Sequence, residues 1–307
     1  MQHSNTCVVL GGTGFVGSAL VGKLANAGYN VIVPTRNREL ARGLGVLPRV
    51  KLVAADVHDD ATLTRLFQGA STVINLVGIL NEKGHHGGAG FYVAHEALAK
   101  SVVAAAETSG VSRLLHMSAL KASAKSGPSD YLKSKGLAED AITAVPTKTL
   151  AWTIFQPSVI FGARDSFMNR FAGLLRLSPI MPLARPNARF APVFVDDVCA
   201  AFLKALADDA TVGQRYQLCG PRVYSLRELV RYVQEQLGLR RWIIGLPDPV
   251  ARLQARIFDF VPGKPLSTDN LRSLMVHSIC DNDGLGALGI DATPMESVVP
   301  TYLSKRR

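Results

Sequence analysis

Directly behind the first apolar run of the chain, "TCVVL" (6–10), stands the glycine-rich stretch "GGTGFVG", with Gly11, Gly12, Gly14 and Gly17. The pattern that follows, "FVGSALVGKLANAG", has helical spacing and ends at Gly28. An aliphatic run, a glycine turn and an amphipathic stretch read as strand, tight turn and helix. The turn fits GxGxxG from Gly12 or GxxGxxG from Gly11, and the physics is the same in either register. Glycine permits the tight turn and lets backbone N–H groups approach a pyrophosphate, whose charge the helix N-terminus stabilises. Residues Gly11, Gly12, Thr13, Gly14, Phe15, Val16 and Gly17 are therefore candidate contacts to a dinucleotide. The bland alternative is a turn that binds nothing.

The same alternation continues. Strand-like runs lie at 30–36, 50–56, 71–78, 113–118 and 150–157, with helical stretches between most of them, notably 91–110 and 129–145. Apolar strands alternating with helices predict an α/β fold, a doubly wound parallel sheet covered on both faces. Hydrophobic residues make up 48% and charged ones 19%, which suits a packed core and excludes disorder. After Pro157 the pattern loosens, and Pro179, Pro182, Pro186 and Pro192 punctuate it. "RYQLCGP" (215–221) reads as a strand, and 225–238 as a helix capped by Ser225 with Glu228 three residues on. The division expected is a nucleotide-binding core over 1–157 and a smaller mixed lobe over 158–307, interleaved with the end of the core sheet and facing substrate or partner.

Other features bound the function classes. The net charge of +10 is spread evenly along the chain and suits anionic small molecules or an acidic partner. No aromatic-basic surface motif supports nucleic acid. Cys7, Cys199, Cys219 and Cys280 show no CxxC spacing, so neither a zinc site nor a disulfide framework is expected, and a reducing compartment fits. No metal site is expected; His85 and His86 read as part of a loop over the cofactor. No apolar run is long enough to span a bilayer and no signal peptide is visible. A cytoplasmic protein, with a peripheral contact to the inner membrane left open, is the expectation. The terminal Lys305-Arg306-Arg307 is too short for a binding arm. Arg164, Arg170, Arg176, Arg185 and Arg189, balanced only by Asp165, read as a solvated rim or an anion-binding surface. "VDDV" (195–198) offers Asp196 or Asp197 as a helix cap. The apolar, basic stretch 242–261 reads as core packing, with a membrane or quinone contact as the alternative.

The end of the second strand selects the nucleotide. An acidic residue there would bind a ribose 2′-hydroxyl, but this chain has Thr35 and Arg36, with Arg38 and Arg42 nearby. Arginine forks onto a 2′-phosphate, so NADP(H) is favoured over NAD(H). Asp56 and Val57 after the third strand are placed for the adenine edge, Gly78 after the fourth for close approach, and Pro157 closes the sixth. In "SDYLKSKG" (129–136), Tyr131 and Lys135 are four apart and share a helix face. A lysine ammonium beside a tyrosine favours its phenolate, which makes the pair usable for acid/base work. Ser118, ending the fifth strand at the edge where such sheets bind ligands, could hold a substrate oxygen. Considered alone, the pair could equally be a solvated helix face.

These residues resemble the short-chain dehydrogenase/reductase superfamily: GxxGxxG at 11–17, a serine ending the fifth strand, and YxxxK at 131–135. "QPSVIFGARDSFMNRFA" (156–172), "PVFVDDVCAAF" (192–202) and "YQLCGPRVYSLRELVRYV" (216–233) resemble its extended or atypical branch. More closely they resemble the NAD(P)-binding accessory-subunit family of respiratory complex I and its stand-alone bacterial relatives. The resemblance implies a Rossmann fold with a small C-terminal lobe, tightly bound NADPH, and a respiratory or quinone-linked context with a peripheral membrane or respiratory-complex partner. In sugar-epimerase relatives the catalytic Ser or Thr lies a residue or two beyond the strand end, where this chain has Ala119 and Leu120. Two readings follow. One is an NAD(P)-dependent oxidoreductase or epimerase-like enzyme using Tyr131, Lys135 and Ser118 on an unnamed small-molecule substrate. The other is a cofactor-binding structural or assembly factor of a respiratory or ubiquinone-biosynthetic complex.

Overall fold

The computed structural model describes residues 5–82, 87–261 and 264–304. His85, His86 and the terminal basic triplet lie outside these. The first six strands are β1 (Thr6–Leu10), β2 (Asn30–Thr35), β3 (Val50–Ala54), β4 (Thr72–Asn75), β5 (Arg113–Met117) and β6 (Ala151–Pro157). Helices α1 (Phe15–Asn26), α2 (Arg42–Gly45), α3 (Asp60–Phe67), α4 (Ala89–Tyr92), α5 (Leu98–Ser109) and α6 (Asp130–Thr143) lie between them. The chain continues with β7 (Ile160–Phe161), α7 (Phe167–Leu177), β8 (Ile180–Ala184), β9 (Arg189–Phe190), β10 (Val193–Phe194), α8 (Val195–Ala207), β11 (Arg215–Leu218), β12 (Tyr224–Ser225), α9 (Leu226–Gln236), β13 (Trp242–Leu246), α10 (Asp248–Phe258) and α11 (Thr268–Ser273).

Seven strands form one parallel sheet in the order β11-β6-β5-β4-β1-β2-β3. Strand periodicity explains why their runs are almost wholly apolar: each residue must satisfy one covered face or the other. Val8, Leu10, Val73, Leu114 and Ile154 pack with Leu63, Phe67, Val102 and Ile142 of α3, α5 and α6. Val9, Ile74, Leu115 and Phe155 pack on the opposite face with Leu20, Leu24, Val198 and Phe202 of α1 and α8. Burying each such side chain contributes about 1.5–3 kcal/mol. The later part of the chain supplies both α8 and the edge strand β11, and it also builds a core of its own around Phe161, Met168, Leu175, Leu229 and Val233.

Three local readings change. Residues 91–110 do not form one regular helix: a π-helical turn, Val93–Ala97, joins α4 to α5. Neither Asp196 nor Asp197 caps α8; Phe194 occupies the cap, Asp196 pairs with Lys23 at 3.3 Å, and Asp197 accepts from the amide and hydroxyl of Thr293. Cys219 and Cys280, 61 residues apart, form a disulfide, against the expectation of free thiols. Sequence spacing could not show this, because the pairing comes from where the segment after α11 runs. Ser278 pairs with Phe190 and accepts from the amide of Ala191, while Gly220 N–H bonds the Ala191 carbonyl, so both cysteines are drawn to one place. The capping box at Ser225 and Glu228 is present as read. No helix of the described residues is long and apolar enough to cross a membrane.

Candidate functional site

Strands β1 and β4 are neighbours, yet the chain leaves them toward opposite sides of the sheet, so a crevice opens beyond their C-terminal ends. The glycine turn sits there. Gly11 has φ 76°, and a Cβ on it would lie 3.0 Å from the carbonyl carbon of Leu76 in the segment leaving β4. A Cβ on Gly17 would collide with the Gly11 carbonyl oxygen and lie 2.7 Å from Gly12 Cα, so packing of helix on strand requires glycine here. Gly12 is restricted by Val33 at 2.8 Å. Gly14 differs: it is exposed, and a Cβ there would meet only the Gly11 oxygen, at 3.2 Å. Its missing side chain leaves the start of α1 uncovered. Gly14 is the N-cap, no side chain caps the helix, and its first turn carries no acidic residue. That is a cradle for a phosphate group: unshielded amide N–H groups with the helix dipole behind them. Arg164, from the loop after β7, reaches the same turn and donates to Ser18 Oγ at 2.5 Å.

At the end of β2 the Thr35 hydroxyl accepts from Asn37 N–H at 3.2 Å, and exposed Arg36 follows. Asp56 turns the chain after β3 by accepting from His58 N–H, and Val57 packs against the α3–α5 side of the core. Gly78 lies against the catalytic candidates, since a Cβ there would sit 3.2 Å from Lys135 Nζ and 3.5 Å from His95 Nε2. Pro157 ends β6, and its carbonyl accepts from Leu120 N–H.

Helix α6 begins where Ser129 accepts from Leu132 N–H. Asp269 of α11 adds a second cap by accepting from the amides of Asp130, at 2.7 Å, and Tyr131, at 3.3 Å. Tyr131, Lys135 and Glu139 follow at four-residue spacing on one face. Lys135 is buried; its ammonium donates to the carbonyls of Met117, at 2.9 Å, and Val77, at 3.4 Å, tying α6 to the ends of β5 and β4. Burial pulls its pKa down to about 8 against the opposing charge of Glu139. The Tyr131 ring makes edge contacts with Phe91 and His95, and burial, then Asp269, push its pKa up to about 12.

Sequence reasoning missed the groups that surround the pair. His95 stands on the π turn; its Nε2 accepts from Ile79 N–H at 3.1 Å, so Nδ1 carries the proton and donates to Ser134 Oγ at 2.8 Å. Ser134 in turn donates to the Tyr131 carbonyl. Burial, then Lys135 and His116, hold the His95 pKa down at about 2. His116 of β5 is also buried, neither ring nitrogen has a hydrogen-bond partner among the described residues, and burial and Lys135 hold it neutral. Ser118 was expected to hold a substrate oxygen. Its hydroxyl here donates to Glu139, which also accepts from Gln156 at 2.8 Å and Arg215 at 3.1 Å. Glu139 was legible as the next four-residue step beyond Lys135; Asp269, 138 positions from Tyr131, was not.

A family model described as NAD(P)H-binding matches residues 11–165. Among curated proteins, the chain is 31% identical over 305 residues to the Arabidopsis thaliana protein named NADH dehydrogenase (ubiquinone) 1 alpha subcomplex subunit 9, mitochondrial, covering 93% of this chain and 73% of that one. It is 30% identical over 248 residues to a ceramide reductase of Caulobacter vibrioides, covering 78% of this chain and 73% of that one. Among solved structures, UDP-glucose 4-epimerase of Thermotoga maritima superposes with a TM-score of 0.76 at 17% identity, covering 97% of this chain and 98% of that one, which shows a shared fold.

Proposed function

The chain belongs to the NAD(P)H-binding family, with a Rossmann-like fold shared with extended short-chain dehydrogenase/reductase enzymes, and from that premise we propose that it is an NADP(H)-dependent oxidoreductase acting on a carbonyl or the corresponding alcohol. The observation that carries the reading is the anchoring of Lys135. Its ammonium is held between two strand ends, one helical turn from Tyr131, at the C-terminal edge that also bears the glycine cradle.

When bound, the nicotinamide ring supplies or accepts a hydride at the substrate carbon. Gly11 to Gly17 and the N-terminus of α1 would hold the pyrophosphate, Arg36 and Thr35 the adenosine end with its 2′-phosphate, Asp56 and Val57 the adenine edge, and Gly78, Tyr131, Lys135 and Pro157 the nicotinamide half. In the reducing direction, the O–H bond of Tyr131 breaks as its proton passes to the substrate oxygen, while the carbonyl carbon gains the hydride. Burial and Asp269 oppose the phenolate left behind, so the Lys135 ammonium one helical turn away would have to offset them, which is why the lysine must stay protonated. Its depressed pKa of about 8 predicts that turnover declines above that pH. In this reading Ser118 acts through Glu139, keeping α6 and Lys135 in register against β5. The relative named ceramide reductase supports turnover in this branch.

A second reading, a cofactor-binding subunit or assembly factor of a respiratory complex without turnover, is supported by the relatives named as complex I subunits and by the engagement of Ser118 with Glu139. Tyr131→Phe separates the two. Oxidoreductase chemistry predicts a rate lower by about 100-fold or more on a carbonyl panel, with NADPH affinity reduced far less than the rate. A wild-type protein that binds NADPH but turns over nothing on that panel would overturn the enzymatic reading.

A further inference from the structure

Helix α10 carries two apolar stripes, and the larger side chains are on the outer one. Its inward positions are Ala251 and Ala255, buried with Ala184 and Leu271. Val250, Leu253 and Ile257 are exposed by 46, 59 and 56%. Their i, i+3, i+7 spacing stacks them on one face. The two-stranded sheet β8–β13 adjoins α10. α10 packs on β8, and Arg185, just past β8, pairs with Asp248 at the start of α10 at 2.9 Å. Ile180 and Trp242 are register partners across that sheet, exposed by 50 and 75%, and Ile244 lies two residues on and therefore on the same side. A soluble surface ordinarily scatters such residues singly; six on adjoining elements mark a face that another apolar phase covers.

Charge identifies that phase. Segments 176–185 and 240–257 contain six arginines and a single acidic residue, Asp248, which the Arg185 pair already neutralises. Arg176, Arg240, Arg252 and Arg256 are exposed and have no ion-pair partner among the described residues. Arg252 and Arg256 each precede a residue of the outer stripe, Leu253 and Ile257, and so flank it. A second copy of the chain would bring like charge against like charge across a symmetric contact. Phosphate headgroups above an acyl boundary match both halves of the pattern: arginine with anion, aliphatic and indole side chains with hydrocarbon.

We propose that α10 and the β8–β13 sheet form a docking face for an anionic phospholipid bilayer. This stands on its own, whatever the cofactor chemistry. The face is also joined to the candidate site. Asp259, at the end of α10, accepts from the amide and hydroxyl of Thr268, and the next residue, Asp269, caps α6 at Tyr131. A cavity of about 370 Å³ lies at this junction, lined among others by Phe91, Asp130, Asp259 and Thr268.

The test uses the full chain and two kinds of vesicle, phosphatidylcholine alone and phosphatidylcholine with about 30% phosphatidylglycerol. Of the two tryptophans, Trp152 is buried and Trp242 lies on the face, so tryptophan emission reports docking directly. The protein should float with the anionic vesicles, with a blue-shifted emission that Trp242→Phe abolishes, and should bind neutral ones about tenfold more weakly or less. Arg252→Gln with Arg256→Gln should weaken binding about tenfold, and Leu253→Glu with Ile257→Glu should remove it, both at unchanged melting temperature and unchanged NADPH affinity. Equal binding to both vesicles, no emission shift, or a concentration-dependent dimer that the Leu253/Ile257 substitutions disperse would each overturn the proposal.

Discussion

Replacing Gly17 with alanine places one methyl group where the chain has no room. The new Cβ would collide with the Gly11 carbonyl oxygen and come within 2.7 Å of Gly12 Cα and 2.8 Å of Gly12 C. All three atoms are backbone, so no side chain can swing aside, and α1 must lift from the turn by about 1 Å to restore contact distance. Overpacking of this kind costs about 3 kcal/mol, which lowers the melting temperature by about 5 °C in a chain of this size. The same lift displaces the helix N-terminus from a bound phosphate, so NADPH affinity should fall about tenfold or more. Two neighbours serve as controls. Gly14→Ala meets only one atom, at 3.2 Å, so it should weaken NADPH while leaving the melting temperature nearly unchanged. Gly22, inside α1 with nothing within 4 Å of its Cβ position, should become more stable as alanine by about 0.5–1 kcal/mol, with no effect on the cofactor. Thermal unfolding by circular dichroism and NADPH fluorescence titration read both quantities. A Gly17→Ala protein with wild-type melting temperature and wild-type affinity would refute the close packing and the cradle together.

His95 and His116 are buried and neutral, with folded pKa values below the unfolded value of about 6.5, so the unfolded chain binds more protons in acid and stability is lost as pH falls below that value. His95 should cost about 2 kcal/mol between pH 7 and pH 5, and His116→Leu, which breaks no hydrogen bond found among the described residues, should make the loss with acid smaller in denaturant titrations at the two pH values. Reducing the Cys219–Cys280 disulfide, which closes a span of 61 residues, should lower stability by up to about 4 kcal/mol, read as a lower denaturation midpoint in dithiothreitol. Arg36→Gln should weaken NADPH about tenfold and leave NADH unchanged in paired titrations; an equal effect on both nucleotides would count against a 2′-phosphate contact.

The parallel sheet was legible because period-2 strands buried on both faces must be apolar throughout, and such runs stand out against helical stretches such as 129–145. The glycine turn was legible because the positive φ of Gly11 and the clash that a Cβ on Gly17 would make with the Gly11 oxygen both arise within seven residues of chain. The capping box of α9 was legible for the same reason: Ser225 and Glu228 are local partners. Where a local rule met a distant partner, reading by spacing failed. Asp197 could have capped α8, but Thr293 offered two donors from across the fold. The cysteines showed no motif because their proximity comes from how the segment after α11 runs beside β9. Stretch 242–261 has the composition of a core segment, yet the inward side of α10 took its alanines and left Leu253 and Ile257 outside.

By itself, then, the sequence determined the doubly wound core, the dinucleotide turn and the shared face of Tyr131 and Lys135, because each depends on neighbours within about one element of secondary structure. Tertiary structure decided what surrounds that face. Lys135 is held by carbonyls of two other strand ends, Ser118 by Glu139, the start of α6 by Asp269, and His116 by a pocket that offers its ring no hydrogen-bond partner among the described residues. Desolvation and hydrogen bonding at a site are sums over everything packed against it, and those neighbours are gathered from separate elements only when the chain folds.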